Sequence, residues 1–264
     1  MVVPCRRCMP CRIALTREWT TRLMHEALCH DDNCFVTLTY RTEELPEDRS
    51  LNKRILQLFI KRFRKKVKVK IKYYAVGDYG ELNDREHYHL IIYGWKPPLD
   101  DLFTASKKNG RNYYGSRIIS TLWPYGFNAV GTVTRDSCQY TCGYVRKKAF
   151  GQRGNDTYGK RLPPFALQSG GIGAWYAFQN RERIQEHLCV IEGNKNLGLP
   201  RYYQRLLLID SEDLIEKRMM KDNETVCYYY EKGFNKEQIC KLVMEANEQK
   251  EQEMLWNEKT RRTK

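Results

Sequence analysis

His87 and His89 stand two residues apart at the head of Arg85-Glu-His-Tyr-His-Leu-Ile-Ile-Tyr-Gly94, in a chain with five histidines among 264 residues. The run Leu90, Ile91, Ile92 and Tyr93 is short, apolar and partly β-branched, and it stops at Gly94, which predicts a strand. Residues i and i+2 of a strand share a face, so both imidazoles project side by side while Tyr88 turns away. Each neutral ring offers one lone pair, and such a pair suits a divalent metal ion. The competing reading is two polar residues at a strand end, solvated or hydrogen-bonded to a neighbouring loop.

A second constellation is Tyr140-Thr-Cys-Gly-Tyr144-Val-Arg-Lys147-Lys148. If helical, it sets the two tyrosines one turn apart on one face, with the lysines in the next turn. Half-buried packing is the alternative for the tyrosines. Gly143 is costly inside a helix and would let DNA or another backbone come close. A third is Cys5, Cys8 and Cys11, spaced C-x2-C-x2-C among ten cysteines. A structural Zn²⁺ needs four ligands, and His25, Cys29, His30 and Cys34 are the candidates for the fourth; reduced thiols are the alternative. The N-terminus lacks the apolar core of a signal peptide, and no apolar stretch is long enough to span a bilayer. Neither secretion nor membrane insertion is expected.

The elements that must position these groups alternate along the chain. Residues 12–30 have helical character, and Cys34 to Tyr40 reads as a strand with one buried face. Leu51 to Val67 is helical, with Ile55, Leu58, Phe59 and Phe63 on one stripe. Its other faces carry Lys53, Arg54, Lys61, Arg62, Arg64, Lys65 and Lys66. From Lys66 the period becomes two, predicting a strand with a lysine face that includes Lys68 and Lys70. The loop 77–86 then makes a hairpin into the histidine strand. Phe127 to Val133 reads as a further strand, and Asp136 as the N-cap of a helix over Ser137 to Lys148. This pattern predicts an α+β domain with a mainly antiparallel central sheet and flanking helices. The expected division is a Cys-rich segment and helix (1–33), a core (34–150), an extension (151–210) and a charged helical C-terminal segment (211–264).

The balance of 46 Lys and Arg against 32 Asp and Glu, a formal charge of +14, favours a polyanionic partner. Taken in order, a hydrophobic FVTLTY strand, a His-x-His strand and a Tyr-x-x-x-Tyr-x-x-Lys helix resemble the HUH endonucleases that start rolling-circle replication. The closer resemblance is to the replication initiators of gokushovirus-type microviruses, small single-stranded DNA bacteriophages. It rests on PCRRCMPCR at the N-terminus, GDYGELNDREHYHLIIYG at 77–94, LWPYGFNAVGTVT at 122–134, YTCGYVRKK at 140–148, GGIGAWY at 170–176 and LPRYYQRLL at 199–207.

The resemblance implies an HUH endonuclease-like fold and tyrosine-mediated nicking and joining of origin DNA, with Tyr140 and Tyr144 as nucleophiles and Lys147 or Lys148 beside them. It also implies Mg²⁺ or Mn²⁺ held by His87, His89 and a carboxylate. Asp78 is the choice for that carboxylate, with Glu81 and Glu86 as fallbacks. The expected partners are phage origin DNA, single-stranded or melted, and a host DNA helicase and polymerase, in the host bacterial cytoplasm. No GxxxxGK[ST] loop is present to drive a helicase within the chain. The basic helix, with Lys68 and Lys70, is expected to contact phosphates, and Tyr73, Tyr74, Tyr79, Tyr113 and Tyr114 to stack bases. A non-catalytic nucleic-acid-binding protein and a metal-dependent hydrolytic nuclease are the rival classes.

Overall fold

The computed structural model describes residues 8–80, 84–108, 110–147, 156–193, 195–242, 244–245, 248–249 and 252. In chain order the first compact unit, Met1–Arg181, contains α1 (Met9–Ala27), β1 (Asn33–Tyr40), α2 (Lys53–Val67), β2 (Lys72–Tyr79), β3 (Glu86–Tyr93), β4 (Leu102–Lys108), β5 (Arg111–Ser116), α3 (Arg117–Leu122), β6 (Gly126–Gly131), α4 (Arg135–Lys147), β7 (Phe165–Gln168) and α5 (Ala174–Gln179). Its seven strands form one antiparallel sheet in the order β4-β5-β6-β1-β3-β2-β7. The α+β architecture expected from the sequence is therefore the one observed.

The two faces of the sheet are packed differently. Val36, Leu38 and Tyr40 of β1 and Tyr88, Leu90 and Ile92 of β3 point one way, onto Leu56, Phe59, Ile60 and Phe63 of α2 and onto Ile119 and Trp123. Tyr74 and Val76 of β2 and Ile91 and Tyr93 of β3 point the other way, onto Leu23 of α1 and Cys138 and Cys142 of α4. With helices on both sides, β3 is buried along nearly its whole length, which is why its sequence is a continuous apolar run rather than an alternating one.

Three sequence expectations are corrected here. The lysine-faced strand does not form: α2 runs on to Val67, and the chain turns at Lys68, whose φ of 54° is left-handed and whose N–H closes on the Arg64 carbonyl. Lys68 and Lys70 thus lie in the turn, and β2 begins only at Lys72. The cap of α4 is Thr134 rather than Asp136. Its hydroxyl accepts from the Ser137 N–H at 3.2 Å, while Ser137 Oγ accepts from the Thr134 N–H at 2.8 Å, a reciprocal capping box. The polar stretch after Gly94, read as irregular, contains the β4–β5 hairpin and α3.

The second unit, Glu182–Lys264, holds most of α6 (Arg181–His187), the β8–β9 hairpin (Cys189–Glu192, Lys195–Gly198), α7 (Arg201–Leu206) and α8 (Ser211–Glu231). Asp210 caps α8 through the Glu212 amide, and a helix was expected there. Among the described residues no helix is long and apolar enough to cross a membrane.

Candidate active site

Strand register builds the site. Across β2, β3 and β1, Asp78 faces His87 and His87 faces Thr39; one step along, Val76 faces His89 and His89 faces Thr37. Directly opposed residues of an antiparallel pair share a face, so Asp78, His87, His89, Thr37 and Thr39 all look toward the α1 and α4 side.

Each imidazole is oriented by a second contact. His87 Nδ1 lies 3.0 Å from the Arg85 carbonyl, which can only accept, so Nδ1 carries the proton and Nε2 keeps its lone pair. His89 Nδ1 lies 3.0 Å from Thr37 Oγ1. The His89 ring stacks on Phe35 at 5.6 Å and meets the His87 ring at 4.8 Å, near a right angle. An Nδ1 engaged by an outer partner, with Nε2 turned away from it, is the usual arrangement of metal-binding imidazoles. The histidine half of the site fits a divalent ion on these grounds. Asp78 is buried and in register with His87, yet among the described residues no three His, Cys, Asp or Glu side chains are gathered into a closed metal cluster.

The tyrosine helix lies across this face. Cys138, Thr141 and Cys142 are buried, and Cys142 shares hydrogen bonds with Thr20 and Tyr74. Burial pushes the Cys138 thiol up to about 12 and the Cys142 thiol higher still, so both are neutral packing groups. With those residues facing inward, Tyr140 stands at the edge of the contact, 51% exposed, its ring 5.1 Å from the His89 ring at 73°. Tyr144 follows one helical turn later and Lys147 closes α4; Lys148 lies outside the described residues.

Several expected site residues are elsewhere. Glu86 alternates to the opposite face, is fully buried, and pairs with Arg49 at 3.2 Å, so it is not a ligand beside His87 and His89. Glu81 and Cys5 lie outside the described residues. Cys8 caps α1 and Cys11 sits in its first turn, whereas His25, Cys29 and His30 come at its far end. At 1.5 Å per residue, Cys11 and His25 are about 20 Å apart along the helix. Cys34 is buried on the α2 side of β1. None of these four completes a zinc site with Cys8 and Cys11.

The basic helix α2, bearing Lys53, Arg54, Lys61, Arg62, Arg64, Lys65 and Lys66, packs on the face opposite His87 and His89. Tyr74 and Tyr79 are buried and Tyr73 is partly buried, so of the five tyrosines expected to stack bases only Tyr113 and Tyr114 are open. Sequence reading missed Thr37 and Thr39. The signal was present in FVTLTY, whose hydroxyls fall on one face.

A second cluster holds α1 in place. Glu26, almost fully buried, receives Lys72 Nζ, the Gly173 N–H at 2.7 Å and His30 Nε2 at 2.8 Å, and the Arg22 guanidinium donates to the Ile172 carbonyl. Burial alone would raise Glu26, but these hydrogen bonds hold it below the usual carboxylate value. The phrase GGIGAWY is thereby tied to α1.

An antiparallel sheet with a His-x-His strand at its centre and a tyrosine-bearing helix across it is an HUH endonuclease-like fold. The family model for Replication-associated protein ORF2/gene 2 protein matches residues 33–149. Replication-associated protein VP4 of Bdellovibrio phage phiMH2K is 34% identical over 216 residues, covering 76% of this chain and 66% of the relative. Replication-associated protein ORF2 of Spiroplasma virus 4 is 33% identical over 229 residues, covering 80% and 69%. Replication-associated protein ORF4 of Chlamydia phage 1 is 28% identical over 238 residues, covering 86% and 57%. The chain belongs to the family of phage replication-associated proteins, of the microvirus type, and spans 57% to 69% of the length of these relatives. No solved structure matches it.

Proposed function

We propose that the chain initiates rolling-circle replication of a small single-stranded DNA phage by nicking and rejoining its origin strand through tyrosine. The observation that carries this reading is the exposed Tyr140 ring lying 5.1 Å from the His89 ring. Family membership supports it, since the relatives are named replication-associated proteins of phages.

In this reading the Tyr140 phenolate oxygen attacks the scissile phosphorus and the bond from phosphorus to the 3′ oxygen breaks. The 3′ hydroxyl so released primes synthesis, and the 5′ phosphate stays esterified to the tyrosine. One phosphodiester replaces another, so rejoining needs no ATP. Tyr144 cuts the regenerated origin, and the new 3′ hydroxyl attacks the Tyr140 linkage to close the circle. A free phenol has a pKa of about 10; Lys147 and Lys148 favour the phenolate or offset charge on the phosphate.

His87 and His89, with Asp78 as third ligand, would hold Mg²⁺ or Mn²⁺, which supplies Lewis-acid polarisation of the phosphoryl oxygens. Imidazole ligands favour Mn²⁺ over Mg²⁺. The substrate is phage origin DNA, single-stranded or melted, with unwinding and synthesis left to a helicase and polymerase of the bacterial host.

The test is a denaturing gel of a labelled single-stranded origin oligonucleotide incubated with protein and Mn²⁺ or Mg²⁺. A band shifted by the mass of the protein is expected, absent from the Tyr140→Phe/Tyr144→Phe double variant and from His87→Ala. Cleavage without an adduct that survives the double variant would mean a hydrolytic nuclease. Binding without cleavage would mean a non-catalytic DNA-binding module.

A further inference from the structure

With α2 on the opposite face, the DNA beside the site needs another surface. The cross-strand row that contains Asp78, His87 and Thr39 continues to Phe127 on β6. Two strand spacings put Phe127 about 10 Å from His87 on the same face. Phe127 is 62% exposed although β6 lies inside the sheet, between β1 and β5. A large aromatic left open there finds little packing and reads as a contact surface.

The adjoining strands extend this face. Tyr114 opposes Val130, whose side chain packs on the α2 side, so Tyr113 and Gly115 point with Phe127 toward the catalytic side. Tyr113 is 46% exposed. The Phe103 ring crosses Gly115, where an added Cβ would come within 2.5 Å of it. Gly115, Ala129 and Gly131 leave the surface between the aromatic rings low. The charge agrees with the shape: from Leu102 to Arg135 the sequence has Lys107, Lys108, Arg111, Arg117 and Arg135 and no carboxylate. An aromatic-dotted surface inside a carboxylate-free basic segment is what a single strand binds, with bases on the rings and phosphates near the cations.

We propose that single-stranded DNA runs from the His87 and His89 site over Thr39 and across β6 toward β5, with one base stacked on Phe127 and another, further out, on Tyr113. This assignment rests on the nicking reading only for its direction from the site; the stacking surface is defined by β6 and β5 themselves.

The test uses the full chain without divalent ions, so that no cleavage intervenes. The probe is an oligothymidylate carrying one 2-aminopurine, read by anisotropy for affinity and by fluorescence quenching for stacking. Because stacking on an aromatic side chain contributes about 1–3 kcal/mol per base, Phe127→Ala should weaken binding by about fivefold to a hundredfold and abolish most of the quenching. Tyr113→Ala should do less, and Phe127→Trp should restore both signals. Affinity and quenching unchanged in Phe127→Ala, with unaltered thermal stability, would overturn the proposal. So would an equal loss of affinity for a duplex probe with no change in quenching, which would mean duplex backbone contact. An origin adduct formed by a Phe127→Ala protein that binds and quenches normally would overturn this track and leave the nicking reading standing. Stacking lost in Phe127→Ala, in a wild type that never forms an adduct, would do the reverse.

Discussion

The Tyr140 ring meets the His89 ring at 5.1 Å, and His89 is in turn fixed by Thr37 Oγ1 at 3.0 Å from its Nδ1. The nucleophile candidate and the outer partner of the imidazole are thus joined through one ring. Thr37→Val removes the hydroxyl and keeps the shape. We expect Mn²⁺ affinity to fall about 10- to 100-fold with a stability loss of about 1 kcal/mol, and Thr37→Ser to retain both. Titration calorimetry with Mn²⁺ decides the matter, and equal affinity for Thr37→Val and wild type would remove Thr37 from the site.

Tyr140 is half open and its hydroxyl is not part of the core. Tyr140→Phe should therefore leave stability within about 0.5 kcal/mol and single-strand affinity nearly unchanged, while initial adduct formation drops about 100-fold or more. Tyr144→Phe should keep the first cleavage and lose circle closure. A Tyr140→Phe protein whose DNA affinity falls as far as its adduct yield would make Tyr140 a contact residue rather than a nucleophile.

Helix α2 carries the densest positive charge of the first unit but faces away from His87 and His89. Paired Lys61→Glu and Lys65→Glu changes should lower affinity at low salt and flatten its salt dependence. At saturating DNA, adduct yield should equal that of wild type. A yield that stays low at saturation would show that α2 acts on the chemistry itself.

His25 is buried against Tyr176, with ring centroids 3.7 Å apart, and burial lowers its pKa from 6.5 to about 4, with Arg135 adding to the shift. Between those values the unfolded chain takes up a proton that the folded chain does not. Stability should therefore fall as pH drops through that window, by about 3 kcal/mol in all. Glu26 beside it is depressed, so its contribution is present above the unfolded carboxylate value and lost as pH falls through its folded value. The two losses are in different ranges. Thermal melts of His25→Gln should show a flatter dependence above about pH 4; a slope equal to wild type would place the pH response elsewhere.

Much of this arrangement was legible because local rules and tertiary packing agree. The alternation of FVTLTY and the stop at Gly94 mark β1 and β3, and the loop between Tyr79 and Glu86 marks their antiparallel neighbour β2. What misled was period two in the lysine run. Val67, Val69, Ile71 and Tyr73 alternate as a strand would, yet the buried Phe59 and Phe63 carry α2 on to Val67 and the left-handed Lys68 ends it. The pairing of His87 with Asp78 rests, in the sequence, on proximity across a short loop. That Glu86 points away follows from alternation alone. The position of α2 relative to the site could not be read, because which face a helix covers is decided by the crossover and not by its own pattern.

Gly143 stands inside α4 between the two tyrosines, and no described heavy atom lies within 4 Å of where a Cβ would sit. Glycine in a helix interior costs about 1 kcal/mol relative to alanine, and nothing in the surrounding packing requires it. Gly143→Ala should therefore stabilise the free protein by about 0.5–1 kcal/mol, raising its melting temperature. If the glycine leaves room for the DNA backbone to approach Tyr140, the same methyl should slow adduct formation at saturating oligonucleotide. A variant that is both more stable and equally fast would mean that the space above Gly143 is not used by the substrate, and that the strand approaches Tyr140 from the β6 side alone.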